Sequence, residues 1–174
     1  DELPSFIAAR RVDPNWSGCN VTMPLKLDAL MLADERTDLA VQTGATNCLV
    51  PRKGELLATN TDIVGVMAVV SRLARLRPTA TVTVLGSGGS ARAVLVALKQ
   101  LGTSNIVVQA RNRDEAASLA DRFQLALPPQ PFDAPVRTDG LINATPLGMV
   151  GAAPLNLDLR SMPDHGWVFD LVST

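Results

Sequence analysis

Apolar and polar positions alternate differently in the two halves of this chain of 174 residues. In the second half, short runs rich in β-branched residues alternate with longer segments whose apolar residues have helical spacing. The predicted strands cover 80–85, 105–110, 139–143 and 166–172, and the predicted helices cover 90–101 and 113–125. The Pro-rich stretch 128–135 is predicted to be a connection. Strands that alternate with helices favour parallel βαβ units, so we expect an α/β fold with a doubly wound sheet.

The first half of the chain mixes shorter helical and strand patterns. Helices are predicted over 2–12, 25–33 and 63–76, a strand over 18–22, and a hairpin over 45–51 and 55–60. Arg77-Pro78 ends the last of these helices, and a shift toward β-branched residues begins after it. We therefore expect two lobes with a cleft between them: a smaller α/β lobe at 1–62, a connecting helix at 63–78, and a larger domain at 79–174.

A glycine-rich turn follows the first strand of the larger domain. The turn consists of Gly86, Ser87, Gly88, Gly89, Ser90 and Ala91. Gly86 permits the tight turn, Gly88 lets the backbone approach a pyrophosphate, and small Ala91 allows close packing of helix on strand. The amino end of the following helix attracts an anion. We therefore predict a dinucleotide site on this turn and a Rossmann-like fold for the larger domain.

The tip of the next strand indicates which dinucleotide binds. An acidic residue at this tip, about 20 residues past the first glycine, hydrogen-bonds the ribose 2′-hydroxyl of NAD. This chain has Arg111, Asn112 and Arg113 there instead, and the two guanidinium groups suit a 2′-phosphate. Asp114 and Glu115 follow in the first turn of the next helix, where they favour its amino end. We predict NADP as the cofactor; the alternative is that both arginines are exposed residues at a helix entry.

Composition excludes several classes of partner. The formal net charge is −1 and no basic block occurs, so the sequence has no electrostatic footprint for nucleic acid. No apolar run reaches the ~20 residues that span a bilayer. The two cysteines, Cys19 and Cys48, are too few for a disulfide framework or a zinc site, and we expect reduced thiols in a cytoplasmic protein.

Five short polar strings surround the glycine turn in a specific order. They are Asn20-Val21-Thr22-Met23-Pro24-Leu25-Lys26, Gly44-Ala45-Thr46-Asn47, Asn60-Thr61-Asp62, Asn143-Ala144-Thr145-Pro146-Leu147-Gly148-Met149 and Phe169-Asp170-Leu171-Val172. Together they closely resemble the shikimate dehydrogenase family over nearly the whole chain. Members of that family use NADPH to reduce the ring ketone of 3-dehydroshikimate, reversibly giving shikimate, in aromatic amino-acid biosynthesis.

The resemblance implies roles for individual residues. Lys26 and Asp62 match the catalytic residues of the family. The substrate-binding residues implied by the match are Thr22, Asn47 and Thr61. The cofactor-binding residues implied are Gly86, Ser87, Gly88, Gly89, Ser90, Ala91, Arg111 and Asn112, with Thr145 and Met149 near the nicotinamide.

The residue inventory supports the same chemistry. Hydride transfer to a ketone leaves negative charge on its oxygen, which needs a proton donor or a cation within hydrogen-bonding distance. The chain contains no Tyr and one His, His165, which we expect in a surface turn, so the candidates are mainly lysine and acidic groups. We hypothesise that Lys26 donates the proton, while Asp62 holds Lys26 and a substrate hydroxyl. Asp62 also stands where a helix N-cap belongs.

The chain departs from the family pattern at several positions. The family's paired serines that bind the substrate carboxylate, and its later tyrosine and glutamine, have no counterpart here. Ile63 follows Asp62 where the family usually has glycine. We expect a fragment or the ordered part of a longer enzyme, with a short inactive paralogue as the alternative. Asn143 and Asp170 are each either ligands or structural hydrogen-bonding residues.

Other functions remain open from the sequence alone. A quinate or aminoshikimate dehydrogenase would share most of these residues. A nucleotide-binding relative without turnover could keep the fold, and another Rossmann enzyme, such as a methylene-tetrahydrofolate dehydrogenase relative, would also use a lysine. We expect a small-molecule substrate, no nucleic acid or membrane partner, and either a monomer or a homodimer.

Overall fold

The computed structural model describes residues 2–73 and 79–172. Its helices are α1 (Glu2–Arg11), α2 (Lys26–Met31), α3 (Asp38–Thr43), α4 (Asp62–Leu73), α5 (Gly89–Gln100) and α6 (Arg113–Arg122). Its strands are β1 (Cys19–Asn20), β2 (Glu35–Arg36), β3 (Cys48–Arg52), β4 (Glu55–Thr59), β5 (Thr81–Leu85), β6 (Asn105–Ala110), β7 (Gln130–Pro131), β8 (Gly140–Asn143) and β9 (Trp167–Asp170). The strands form two separate sheets.

The larger sheet has five parallel strands in the order β7-β6-β5-β8-β9. Its central strands are rich in buried apolar residues, and Val82, Ile106 and Ile142 are fully buried. This composition is typical of parallel strands that helices cover, because both faces of each strand are then buried. The strand order and the helical crossovers give a Rossmann-like α/β fold, which confirms the expected fold class.

The smaller sheet has four strands in the order β1-β3-β4-β2. The hairpin of β3 and β4 turns at Lys53 and Gly54, which both have positive φ. A separate core beneath this sheet includes Ile7 of α1, Leu30 of α2 and Leu49 of β3. Each sheet therefore has a hydrophobic core of its own.

Two expectations from the sequence are wrong in detail. The helix predicted over 113–125 ends at Arg122, because Gln124 adopts a left-handed conformation and the Leu125 N–H returns to the Ala120 carbonyl. The stretch 128–135 is not only a connection, since it contains β7 at the edge of the larger sheet. Proline is tolerated in such a strand because an edge leaves one row of backbone groups unpaired.

Helix α4 follows the smaller sheet in sequence but packs against α5. Its residues Ile63, Val66 and Val70 belong to the core of the larger sheet. The helix predicted to connect the lobes is therefore part of the larger core. The boundaries 1–62, 63–78 and 79–174 stay a prediction, and the predicted helix end at Arg77-Pro78 lies outside the described residues.

Candidate active site

An amine and a carboxylate that are 36 residues apart in sequence meet at the junction of the two sheets. Lys26 begins α2 and Asp62 begins α4, and the Lys26 Nζ lies 2.7 Å from the Asp62 Oδ2. The two side chains are only 12% and 27% exposed, respectively. Partial burial reduces solvent screening, so this ion pair holds the ammonium group more firmly than a surface pair does. The structure brings together the two residues on which the predicted chemistry depends.

Asn47 fixes the start of α4 from the neighbouring strand region. Its Nδ2 donates to the Thr61 Oγ1 at 2.8 Å and to the Asp62 Oδ1 at 2.7 Å. Its Oδ1 accepts from the Thr61 N–H at 2.9 Å. Both carboxylate oxygens of Asp62 therefore bond to side chains, while the Asp62 N–H donates to the Asn60 Oδ1. None of these contacts joins the Asp62 carboxylate to a backbone N–H of α4, so they do not include the N-cap role suggested for Asp62.

A cavity of about 540 Å³ lies beside the Lys26–Asp62 pair. Residues from the helices and loops next to both sheets line it. They include the predicted site residues Thr22, Lys26, Thr61, Asp62, Ser90, Thr145 and Met149. Gly65, Val66 and Leu171 contribute apolar surface to the wall. The cavity thus combines one ion pair with several hydroxyl groups, which suits a small polar molecule.

The glycine turn borders a second cavity of about 600 Å³. Gly86 has a φ of +105°, and a Cβ at this position would lie 3.2 Å from the Ala144 carbonyl oxygen, so glycine suits both the backbone angle and the spacing. A Cβ on Gly88 would meet no atom of the described residues within 4 Å, so open space faces the backbone at the amino end of α5. Arg111 lines the same cavity, at the end of β6. This arrangement fits a dinucleotide with its phosphates on the turn.

Asn112 and Glu115 cap the amino end of α6. The Asn112 Oδ1 accepts from the backbone N–H groups of Asp114 and Glu115, and its Nδ2 donates to the Glu115 Oε1 at 2.9 Å. The Glu115 Oε2 also accepts from the Ser87 hydroxyl at 2.7 Å. Glu115 therefore links the glycine turn to α6, a contact that the sequence analysis missed. The spacing Asn-x-x-Glu is a helix-capping signal, so the sequence could have indicated the contact between Asn112 and Glu115.

A third cavity, of about 670 Å³, also borders the glycine turn. Lys26, Gly89, Ser90 and Arg92 line it. Arg92 is half-buried, and this burial lowers the pKa of its guanidinium below the ordinary value. The Lys26 Nζ donates to the Ser90 Oγ at 3.1 Å, so the lysine that faces the 540 Å³ cavity also contacts the turn.

Three other residues named in the sequence analysis pack against or hydrogen-bond to the surrounding protein. Ala91 is fully buried in the core of the larger sheet, so its side chain contributes packing at this turn. Asn143 is also fully buried, and it bonds to Thr145, Leu147 and Asp170. His165 is exposed and its Nε2 lies 2.8 Å from the Asp139 Oδ1.

Two features are absent from the part of the chain that the structure describes. Within 2–73 and 79–172, no group of three or more His, Cys, Asp or Glu side chains could hold a metal ion. Within the same ranges, no helix has both the length and the apolar character that crossing a membrane requires.

Comparisons with known proteins agree with this architecture of a Rossmann-like domain joined to a smaller lobe. The Shikimate dehydrogenase substrate binding domain family matches residues 1–49. "Shikimate dehydrogenase (NADP(+))" of Sphingopyxis alaskensis is 41% identical over 176 residues, which cover 99% of this chain and 63% of the relative. The protein of the same name from Rhodopseudomonas palustris is 41% identical over 90% of this chain and 58% of its own length.

Solved structures give the same result. The shikimate 5-dehydrogenase of Thermus thermophilus, in complex with NADP(H) and shikimate, matches with a TM-score of 0.82 and 30% identity, covering 98% of this chain and 63% of that one. The quinate dehydrogenase of Corynebacterium glutamicum, in complex with NAD, matches with a TM-score of 0.80 and 28% identity over 98% and 64%. Over nearly its whole length this chain is similar to members of the shikimate dehydrogenase family. It spans about 63% of the length of the Sphingopyxis relative.

Proposed function

We propose that the full-length protein carrying this chain is an NADP-dependent shikimate dehydrogenase. It would reduce 3-dehydroshikimate reversibly to shikimate, in aromatic amino-acid biosynthesis. The observation that carries the proposal is the Lys26–Asp62 pair, 2.7 Å apart on the wall of a cavity that the glycine-turn residue Ser90 also lines. The names of the relatives support it, as does the shikimate complex of the Thermus thermophilus protein.

NADP fits the glycine turn and its surroundings. The backbone at Gly88 would take the pyrophosphate, since open space lies where a side chain would otherwise project. Arg111 would pair with the 2′-phosphate, and Thr145 and Met149 would face the nicotinamide end. When bound, the reduced cofactor supplies a hydride to the ketone carbon.

Lys26 would act on the ketone oxygen. Its ammonium group has three donors, and within the described part of the chain two of them bond to Asp62 and Ser90, which leaves one for the substrate. As the carbonyl carbon gains a hydride, the oxygen gains negative charge, and Lys26 would stabilise this charge and donate a proton. Water would then reprotonate the amine. Asp62 would hold the amine in place and accept a hydrogen bond from a substrate hydroxyl.

The substrate hydroxyl groups would bind to Thr22, Thr61 and Asn47. Thr22 and Thr61 line the 540 Å³ cavity, and Asn47 bonds to both Thr61 and Asp62. In this proposal 1–62 is the substrate lobe and 79–174 is the NADP domain. We also propose a cytoplasmic location, which the free thiols of Cys19 and Cys48 support.

The test is the oxidation of NADPH by the full-length protein with 3-dehydroshikimate, beside the reverse reaction of quinate with NAD and with NADP. We expect turnover with 3-dehydroshikimate and a preference for NADPH over NADH. Turnover with quinate alone would move the substrate assignment to quinate. The absence of turnover with every substrate, despite NADPH binding, would favour a non-catalytic nucleotide-binding protein.

A matched pair of arginine variants tests the cofactor assignment. Arg111→Ala removes one charge-assisted contact, so we expect KM for NADPH to rise roughly tenfold or more and KM for NADH to change little. Arg52→Ala, on the exposed hairpin, is the control and should change neither value. An equal effect of Arg111→Ala on both cofactors would refute the 2′-phosphate assignment.

A further inference from the structure

The side chain of Lys26 lies directly against the glycine turn of the other lobe. A Cβ added to Gly89 would lie 2.9 Å from the Lys26 Cβ and 3.0 Å from its Cδ. Real side-chain carbons do not approach this closely, so a larger residue at position 89 would displace the lysine. The methylene chain of Lys26 is therefore guided across Gly89 toward the cleft.

The next residue of the turn holds the end of the same side chain. Ser90 is the second residue of α5, and its Oγ accepts from the Lys26 Nζ at 3.1 Å. Lys26 and Ser90 are 64 residues apart in sequence, and each lines both the 540 Å³ and the 670 Å³ cavities. The Lys26 side chain thus lies where the two cavities meet.

Two acceptors decide which way the ammonium group turns. Asp62 is on the side of the 540 Å³ cavity, and Ser90 is on the glycine turn. With both bonds made, the direction of the third N–H is fixed by the tetrahedral geometry of the ammonium group. With Asp62 alone, the group can rotate about a single contact, and the side chain regains rotamer freedom.

We propose that Ser90 is a positioning residue for Lys26: its hydroxyl and the gap at Gly89 keep the lysine amine directed at the substrate ketone. This inference rests on the proposed function. It gives Ser90 a role different from the cofactor contact that the sequence resemblance implies. A direct phosphate ligand would affect binding of NADPH, whereas a positioning residue acts on the rate of the chemical step.

The kinetic test compares the wild type with Ser90→Ala, Ser90→Thr and Ser71→Ala in the full-length protein. We expect Ser90→Ala to lower kcat for 3-dehydroshikimate reduction by roughly tenfold, with KM for NADPH within about twofold of wild type. Ser90→Thr retains a hydroxyl and should recover most of kcat. Ser71 is exposed on α4, so Ser71→Ala should match the wild type. A rise in KM for NADPH with unchanged kcat would overturn the proposal and make Ser90 a cofactor ligand.

A second measurement does not depend on turnover. Acetic anhydride labels lysine amines, and mass spectrometry gives the labelling of Lys26 relative to exposed Lys53 in the same sample. Loss of the Ser90 hydroxyl should raise this ratio by about threefold or more, because one of the two bonds that hold the amine is gone. If the wild type reduces no substrate, the proposed function fails. The labelling ratio of Lys26 to Lys53 then tests by itself whether Ser90 positions Lys26. An unchanged ratio in Ser90→Ala would overturn that role.

Discussion

Replacement of Asn143 by alanine tests how the loop after β8 is held beside the site. The Asn143 side chain is fully buried, at the end of β8. Its Nδ2 donates to the Leu147 carbonyl at 3.1 Å and to the Asp170 Oδ1 at 2.9 Å. Its Oδ1 accepts from the Thr145 N–H at 3.0 Å and from the Thr145 hydroxyl at 2.6 Å. One amide thus connects two neighbouring strands and the loop that contributes Thr145 and Met149 to the cavity.

The magnitude follows from the bonds that Asn143→Ala removes. A neutral hydrogen bond contributes about 0.5–1.5 kcal/mol net, and one to a charged group about 1.5–3 kcal/mol. Three neutral bonds and one bond to a carboxylate are lost, and water entering the vacated space recovers part of the cost. We expect Asn143→Ala to lower the free energy of unfolding by about 3–5 kcal/mol.

Urea denaturation followed by circular dichroism measures this loss. Asn105→Ala is the matched control, because among the described residues the Asn105 side chain makes one bond, of 3.4 Å, to the Thr79 carbonyl. The substitution should cost less than about 0.5 kcal/mol. A loss below about 1 kcal/mol for Asn143→Ala would refute the reasoning, since the four bonds would then contribute almost nothing.

Two further predictions concern packing and acid stability. Gly140→Ala would place a Cβ against the Trp167 ring, so we expect the free energy of unfolding, measured by thermal denaturation, to fall by about 1–3 kcal/mol. Gly65→Ala is the control and should not destabilise, because no described atom lies within 4 Å of the Cβ it adds to α4. Equal effects of the two variants would contradict the packing argument. The Arg11 guanidinium and the Leu56 N–H hold the pKa of Asp34 below its usual value of 3.8, so the contribution of this carboxylate to stability is complete above about pH 4 and is lost as the pH falls through the lowered pKa. Asp34→Asn should therefore lessen the fall in Tm on acidification from about pH 6 to about pH 2, and an identical pH dependence in wild type and variant would show that Asp34 has no such effect.

The sequence predicted the larger sheet well because its strands are short apolar runs between helical segments. Strands β5 and β6 occur where their β-branched residues indicated them. Helix α3 was missed, although Thr37 caps its amino end and Gly44 ends it with a positive φ. Six residues give too few turns for helical periodicity to be recognised. The two-residue strands β2 and β7 exist only through their partners, so no local pattern could reveal them.

Part of the candidate site could likewise be predicted from the sequence, and part could not. Lys26, Asp62, Thr22 and Thr61 were found through polar strings that resemble a family, and the structure places them around one cavity. The contact between Lys26 and Ser90 could not be predicted, because it depends on how α2 of one lobe meets α5 of the other. Long-range contacts of this kind are set by tertiary packing and leave no periodic signal in either segment.

The most direct test of the account is kcat for NADPH oxidation with 3-dehydroshikimate in Lys26→Ala, measured on the full-length protein. We expect kcat to fall by about 10²–10⁴-fold, because the proton donor to the ketone oxygen is lost, while KM for NADPH changes little. Lys53→Ala, on the exposed hairpin turn, is the control and should retain wild-type turnover. Turnover of Lys26→Ala equal to that of the control would contradict the central claim that this amine, held by Asp62, protonates the substrate.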